Sequence, residues 1–408
     1  MKTVKCSVNE AVRVVSDQFN SATTERHYRN EVVFSFHNHR EIMNAMEEGR
    51  AVDLATLPKH PRTSALLIGS GPSLDEALPL LKDWKGHIIC STSQAPTLLA
   101  WGREPEHIVA LDPDSNQQEL FAEGDWKGRK TVLHIHPGVT PGLVKWWPGK
   151  IALYRKLQPQ QPFYAGEQAM GYSAIGGKGV DYRYHTSDQP IGITAQVPML
   201  ANVMPAQICI GKHLGYSQMV LVGVDFSFPD DKERFTSQVW DGSQWIENKP
   251  ISLEDYYTQT DSEKDPLVET ELDGLITTGI QIFYSYQTII ACRLVERSVI
   301  NTSSKGLLRI LPYVPIKKVI QEGNKGVKGF THAQQVKACE EYLAQQNIYF
   351  FYVGQGIMPH EFKDPLHDIP MMLKELKASL VAQGKGDMLD VEANTKRINR
   401  LFQTVAEG

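Results

Sequence analysis

From position 64 onward, short unbroken apolar runs alternate with stretches of helical spacing. The runs are Ala65–Ile68, Ile88–Cys90, Ile108–Leu111, Val132–Ile135 and Ile151–Tyr154. The helical stretches between them are Leu74–Lys82, Ala95–Trp101 and Pro141–Trp146. Strands that stay apolar throughout, rather than alternating, are buried on both faces, which is the signature of a parallel sheet covered by helices. Further on, the pattern predicts a helix over Gln196–Leu214, a strand over Met219–Val224, a helix over Gly274–Glu296 and a strand over Ser298–Asn301. The expected fold class is therefore α/β, a Rossmann-like parallel sheet with helices on both faces.

Three segments flank or interrupt this core. Residues 1–60 carry helical spacing (Val8, Val12, Val15, Phe19; then Ile42, Met43, Met46) and end at Pro58 and Pro61. The core then spans 61–330, and residues 331–408 form a C-terminal helical region. Two irregular stretches, near 158–196 and 228–265, are rich in Gly, Tyr, Trp and acids, and read as lid insertions on the core.

Composition narrows the class. The chain has 408 residues, enough for two or three packed units at roughly 100–200 residues each. Its net charge of −5 and the absence of a basic run disfavour a nucleic-acid partner. No apolar run approaches the roughly 18 residues of a membrane span, and no secretory signal precedes the core. The five cysteines are scattered without a CxxC pair, so neither disulfides nor a zinc knuckle is indicated, and a reducing cytoplasm is expected. Cys90, Cys209 and Cys292 sit in apolar surroundings and read as core residues.

The strongest local signal is the loop Gly69, Ser70, Gly71, Pro72 and Ser73 between a buried strand and a helix. Gly71 allows close backbone approach, Ser73 is placed to cap the helix, and the helix start favours an anion. The alternative is a tight turn without a ligand. The spacing matches neither the Walker loop nor the full dinucleotide fingerprint, which disfavours P-loop ATP chemistry and NAD. Asp112 and Asp114 follow the third strand and Asp225 follows a later one, at the edge where such sheets bind ligands. His134 and His136 share a strand face, with no third metal ligand nearby in sequence. His185, in a tyrosine-rich loop, is a candidate general base.

Taken in order, GSGPSL, STSQAPTLLAWGREPEHIVALDPD, NVMPAQICIGKHLGYSQMVLVGVDFSF and VINTSSKGLL resemble the core of the motility-associated (Maf) glycosyltransferases, which groups with the archaeal 6-hydroxymethylpterin diphosphokinases (MptE-like). The resemblance covers about residues 30–330. It implies a cytidine monophosphate (CMP)-activated nonulosonic acid as donor and a protein or glycan hydroxyl as acceptor. It places Gly69–Ser73 on the phosphate side, with Asp112, Asn202 and Asn301 as further nucleotide contacts and Asp225 in a catalytic role. Ser304-Lys305-Gly306 departs from the family's Glu-Gly-Gly, and the tail is shorter than in flagellin-modifying members, so another acceptor is expected.

Three functions follow. A glycosyltransferase would release CMP without a metal, with His185 as base. A pterin diphosphokinase would use ATP and Mg²⁺, with Asp112, Asp114 and Asp225 as carboxylate ligands. A non-catalytic nucleotide-binding module is the third.

Overall fold

The computed structural model describes residues 4–5, 34, 37–111, 126–157, 193, 195–198, 202–227, 238–240, 245–247, 267–269, 276–346 and the single positions 374, 378, 381 and 392. Its centre is an eight-stranded sheet. In chain order the strands are β1 (Ala51–Asp53), β2 (Ser64–Ile68), β3 (His87–Ser91), β4 (His107–Val109), β5 (Val132–Ile135), β6 (Ile151–Leu153), β7 (Gln218–Val222) and β8 (Ser298–Asn301). The spatial order is β8-β7-β2-β3-β4-β5-β6-β1, and every pairing is parallel. The fold is the Rossmann-like α/β class.

The unbroken apolar runs are explained by burial on both faces. All five residues of β2 are buried. Ala65 and Leu67 join one hydrophobic cluster, and Leu66 and Ile68 join the other, as the two-residue period of a strand requires. On the first face pack α1 (Val203–His213) and α2 (Gly279–Leu294), through Ile208, Ile210, Ile282 and Ile289, together with Cys339 of α3 (His332–Gln346). On the second face lie Leu74, Leu78, Leu81, Trp84 and Trp147. Cys90, Cys209 and Cys292 are buried free thiols, as small core residues should be.

Three sequence expectations are corrected. Residues 37–47 are helical, but the N-terminal segment also supplies β1, which pairs with β6 and extends the sheet. Three residues are too few to show a period, so this edge strand was invisible beside the helical spacing before it. The helix expected over Gln196–Leu214 begins only at Val203; Gln196–Pro198 is a strand paired with Arg155–Leu157. Pro198 pushes the residue before it toward extended backbone, and the Asn202 side chain then caps the helix by accepting from the Met204 N–H at 3.0 Å. The helix expected from Gly274 starts at Gly279, because Ile276–Thr278 is a strand of β-branched residues.

Among the described residues no helix is long and apolar enough to cross a membrane. Of the two expected lid insertions, the described parts are Ile193, Ala195 and Gln196, the last opening the strand Gln196–Pro198, and a hairpin of Gln238–Trp240 with Trp245–Glu247. The rest lies outside the described residues.

Candidate functional site

The order of the strands decides where a ligand can enter. From β2 the chain builds outward through β3, β4, β5 and β6, then returns to place β7 on the other side of β2. The loops after β2 and β7 therefore leave in opposite directions, and a crevice opens between them at the carboxyl edge. This is the switch point at which open parallel sheets bind ligands. A cleft of about 310 Å³ lies there. Its walls are Gly69–Pro72 after β2, Gly223–Ser227 after β7, Asn202–Met204 at the start of α1, and Gln281 and Tyr284 on α2.

Asp225 is the centre of this arrangement. Its residue is only 4% exposed. One carboxylate oxygen, Oδ2, accepts the Ser73 N–H at 2.8 Å. The other, Oδ1, is buried without a hydrogen-bond partner among the described residues. Burial pushes the carboxyl pKa up, against the opposing pull of the nearby Ser303 hydroxyl and of Ser73, whose N–H it accepts. The carbonyl of Asp225 accepts the Leu307 N–H at 2.9 Å, and Gly306 sits so close that a Cβ there would lie 2.6 Å from that oxygen. Next to it, Phe226 has φ 52, a left-handed conformation that is strained for a bulky residue. The Thr277 hydroxyl holds it by donating to the Phe226 carbonyl at 2.6 Å.

The glycine loop is built differently from the sequence expectation. The Gly69 N–H donates to Val222 O at 2.8 Å, and the Gly71 N–H donates to Gly223 O at 2.7 Å. With Ser73 bound to Asp225, three amides expected to face an anion are turned to the protein's own oxygens. Ser73 makes no side-chain cap, and the α-helix after it is one turn, Leu74–Ala77. The glycines are needed because two loops touch. A Cβ on Gly69 would lie 2.4 Å from Gly223 O, and one on Gly71 would lie 2.4 Å from Asp225 Oδ2. Gly223 itself has φ +67. The helix start that does border the cleft is that of α1, an eleven-residue helix whose dipole favours negative charge there.

The other expected site residues divide. Asn202 borders the cleft as the cap of α1, and its amide nitrogen also donates to Tyr284 O at 3.3 Å. Asn301 does not reach the cleft. It is 1% exposed, and its side chain donates to Ser303 O at 2.9 Å and accepts from Ser303 N at 3.2 Å. It shapes the loop that holds Asp225. Ser304 and Lys305 are exposed on that loop. His136 is buried, bonded to Leu111 O at 2.9 Å and accepting from Gly138 N at 3.1 Å. Asp112, Asp114 and His185 lie outside the described residues. Phe226, Ser227, Gln281 and Tyr284 were not anticipated. The only available hint was Gly223 in VGVDFSF, a glycine closing a strand where the backbone must turn sharply.

A second cluster stands at the opposite, amino edge of the sheet. His60, His87 and His107 each present a ring nitrogen within 4.8 Å of the others. None was singled out from sequence, since they are separated by whole strands and loops and meet only through the parallel register.

Comparison with known proteins follows the same core. Residues 35–231 match the family described as 6-hydroxymethylpterin diphosphokinase MptE-like. No curated protein matches the chain in sequence. Among solved structures, the Maf glycosyltransferase of Magnetospirillum magneticum AMB-1 aligns at 13% identity and TM-score 0.45, over 92% of this chain and 54% of that one. The chain thus spans about half the length of that protein. The family match covers just under half of the chain and takes in the strands and loops on both sides of the cleft.

Proposed function

We propose that the chain is a transferase that binds a nucleotide-activated donor in the cleft between β2 and β7. The observation that carries this reading is the buried Asp225 Oδ1, unpartnered at a topological switch point beside the start of α1. A buried acceptor left empty costs about 1–3 kcal/mol, which a ligand hydroxyl or amino group would recover. The α1 dipole supplies a complementary preference for phosphate. A donor with a phosphate at one end and sugar or base hydroxyls at the other meets both requirements.

The preferred donor is a CMP-activated nonulosonic acid, transferred to a hydroxyl of a protein or glycan. The resemblance of the motif series to Maf proteins supports it. In this reaction the acceptor oxygen attacks the anomeric carbon, CMP leaves with the bonding electrons, and a base takes the acceptor proton. His185 is the residue proposed for that proton. No metal is needed, because the leaving group is a single phosphate monoester. The second reading is pyrophosphoryl transfer from ATP to a pterin-like alcohol. The match of residues 35–231 to the MptE-like family favours it, and Asp225 would then be a ligand for Mg²⁺.

A thermal-shift series separates the two readings. CMP alone should raise the melting temperature under the first, and ATP should do so only with magnesium under the second. Asp225→Asn keeps the shape of the side chain and removes its charge. We expect a folded protein whose donor affinity falls at least tenfold, about 1.4 kcal/mol. Unchanged affinity in that variant, measured by calorimetry, would remove Asp225 from the site. Transfer that survives chelator supports the glycosyl donor; loss restored by magnesium supports the diphosphokinase.

A further inference from the structure

The histidine cluster belongs to neither reading, because it lies at the far edge of the sheet from the cleft. His87 and His107 are the first residues of β3 and β4, and His60 lies in the loop before β2. Tyr216, just before β7, sends its hydroxyl between two of them, 2.6 Å from His87 Nδ1 and 2.9 Å from His107 Nε2. The His60 ring stacks on Tyr216 with centroids 5.3 Å apart. Behind His107, His134 Nε2 lies 2.9 Å from His107 Nδ1.

We propose that His60, His87 and His107, with the Tyr216 hydroxyl as fourth ligand, form a binding site for a zinc-class divalent metal ion. Zinc is held by imidazole nitrogens in four-coordinate sites with Zn–N of about 2.0–2.1 Å. In a tetrahedral site such nitrogens lie about 3.3 Å apart, so these need to close by up to about 1.5 Å from a spacing within 4.8 Å, through side-chain rotation at half-buried His60 and His87. The donor set is nitrogen-rich and lacks a carboxylate, which selects zinc, copper or nickel over magnesium and calcium.

Two features of the surroundings suit a metal. Burial lowers the pKa of all three histidines, so they are neutral ligands at pH 7. His134 supplies the orienting partner that metal-bound histidines ordinarily have. For His107 Nε2 to bind a metal, its proton must reside on Nδ1, from which it is donated to His134 Nε2. If Tyr216 binds as phenolate, one proton is released on metal binding. Burial and the Glu106 carboxylate, itself paired with Arg103 at 3.0 Å, raise the Tyr216 pKa, so the metal must displace that proton for the phenolate to bind. The metal would join the loop before β2, the starts of β3 and β4, and the segment leading into β7, which are neighbours in the sheet. Its role would be to staple that edge, not to take part in transfer.

The test uses the untagged full chain, stripped with chelator and dialysed. Zinc sulfate is titrated by calorimetry and by thermal shift, with magnesium chloride as control, and bound metal is counted by plasma mass spectrometry. We expect saturable binding of one zinc per chain and a raised melting temperature, with no response to magnesium. Cobalt in place of zinc should give the visible absorption of a tetrahedral site. His60→Ala and His87→Gln should each weaken zinc roughly tenfold or more while retaining a cooperative melt. His60 is a half-buried loop residue, so its variant tests the site even if His87→Gln folds poorly. Absence of saturable zinc binding, or zinc binding undiminished in His60→Ala, would overturn the proposal and leave the cluster as a hydrogen-bonded column alone.

Discussion

Gly71→Val is expected to weaken donor binding at least tenfold, about 1.4 kcal/mol, and to destabilise the fold by about 1–3 kcal/mol as well. The reason is contact, not backbone conformation. Gly71 is not among the glycines with positive φ. A Cβ there meets Asp225 Oδ2 at 2.4 Å and the Gly223 carbonyl at 2.9 Å. That carbonyl cannot retreat freely, because it accepts the Gly71 N–H at 2.7 Å. Asp225 must therefore move, the Ser73 N–H loses its acceptor, and the carboxylate leaves the floor of the cleft. Calorimetry with the donor nucleotide and urea unfolding give the two numbers. Truncating Asp225 supplies the internal check. In an Asp225→Ala background, the stability cost of Gly71→Ala should shrink, since the nearest clash has been removed and the two residues are coupled. Strictly additive costs would mean that the glycine loop and Asp225 do not act on one another.

Asn301→Leu is the second large effect. The substitution preserves bulk but removes the donor to Ser303 O and Leu308 O and the acceptor for Ser303 N. Buried backbone groups left unpaired cost about 1–3 kcal/mol each, so the unfolding free energy should fall by about 3 kcal/mol or more. The loop from Ser303 to Leu307 then loosens, and with it the Leu307 bond to the Asp225 carbonyl. Donor affinity should fall although Asn301 never reaches the cleft. A variant with wild-type stability and weakened donor binding would instead make Asn301 a direct ligand contact.

Asn301 also shows how far sequence reasoning carries. Its position at the end of a buried strand was evident, and strand ends at that edge are where ligands bind. Whether the side chain pointed outward to a ligand or back to its own loop depended on the path of residues 302–308, which carry no periodic signal. The glycine loop is the same case. GSGPS marks a close backbone approach in any reading, because glycine there removes a side chain that something would otherwise strike. What approaches is, in this fold, the Gly223 carbonyl and the Asp225 carboxylate, from the loop after β7 about 150 residues further along the chain.

The apolar runs of β2 to β6 and the helical stretches between them determined by themselves that this chain builds a parallel sheet covered on both faces. Burial on two sides demands unbroken hydrophobicity, and that demand is local enough to read from five-residue windows such as Ser64–Ile68. The short edge strand Ala51–Asp53, the pairing of β7 with β2, the partner of each glycine and the meeting of His60, His87 and His107 were decided only by the tertiary structure. Each depends on register and strand order between segments far apart in the chain, which are set by packing across the whole sheet and leave no trace in local spacing.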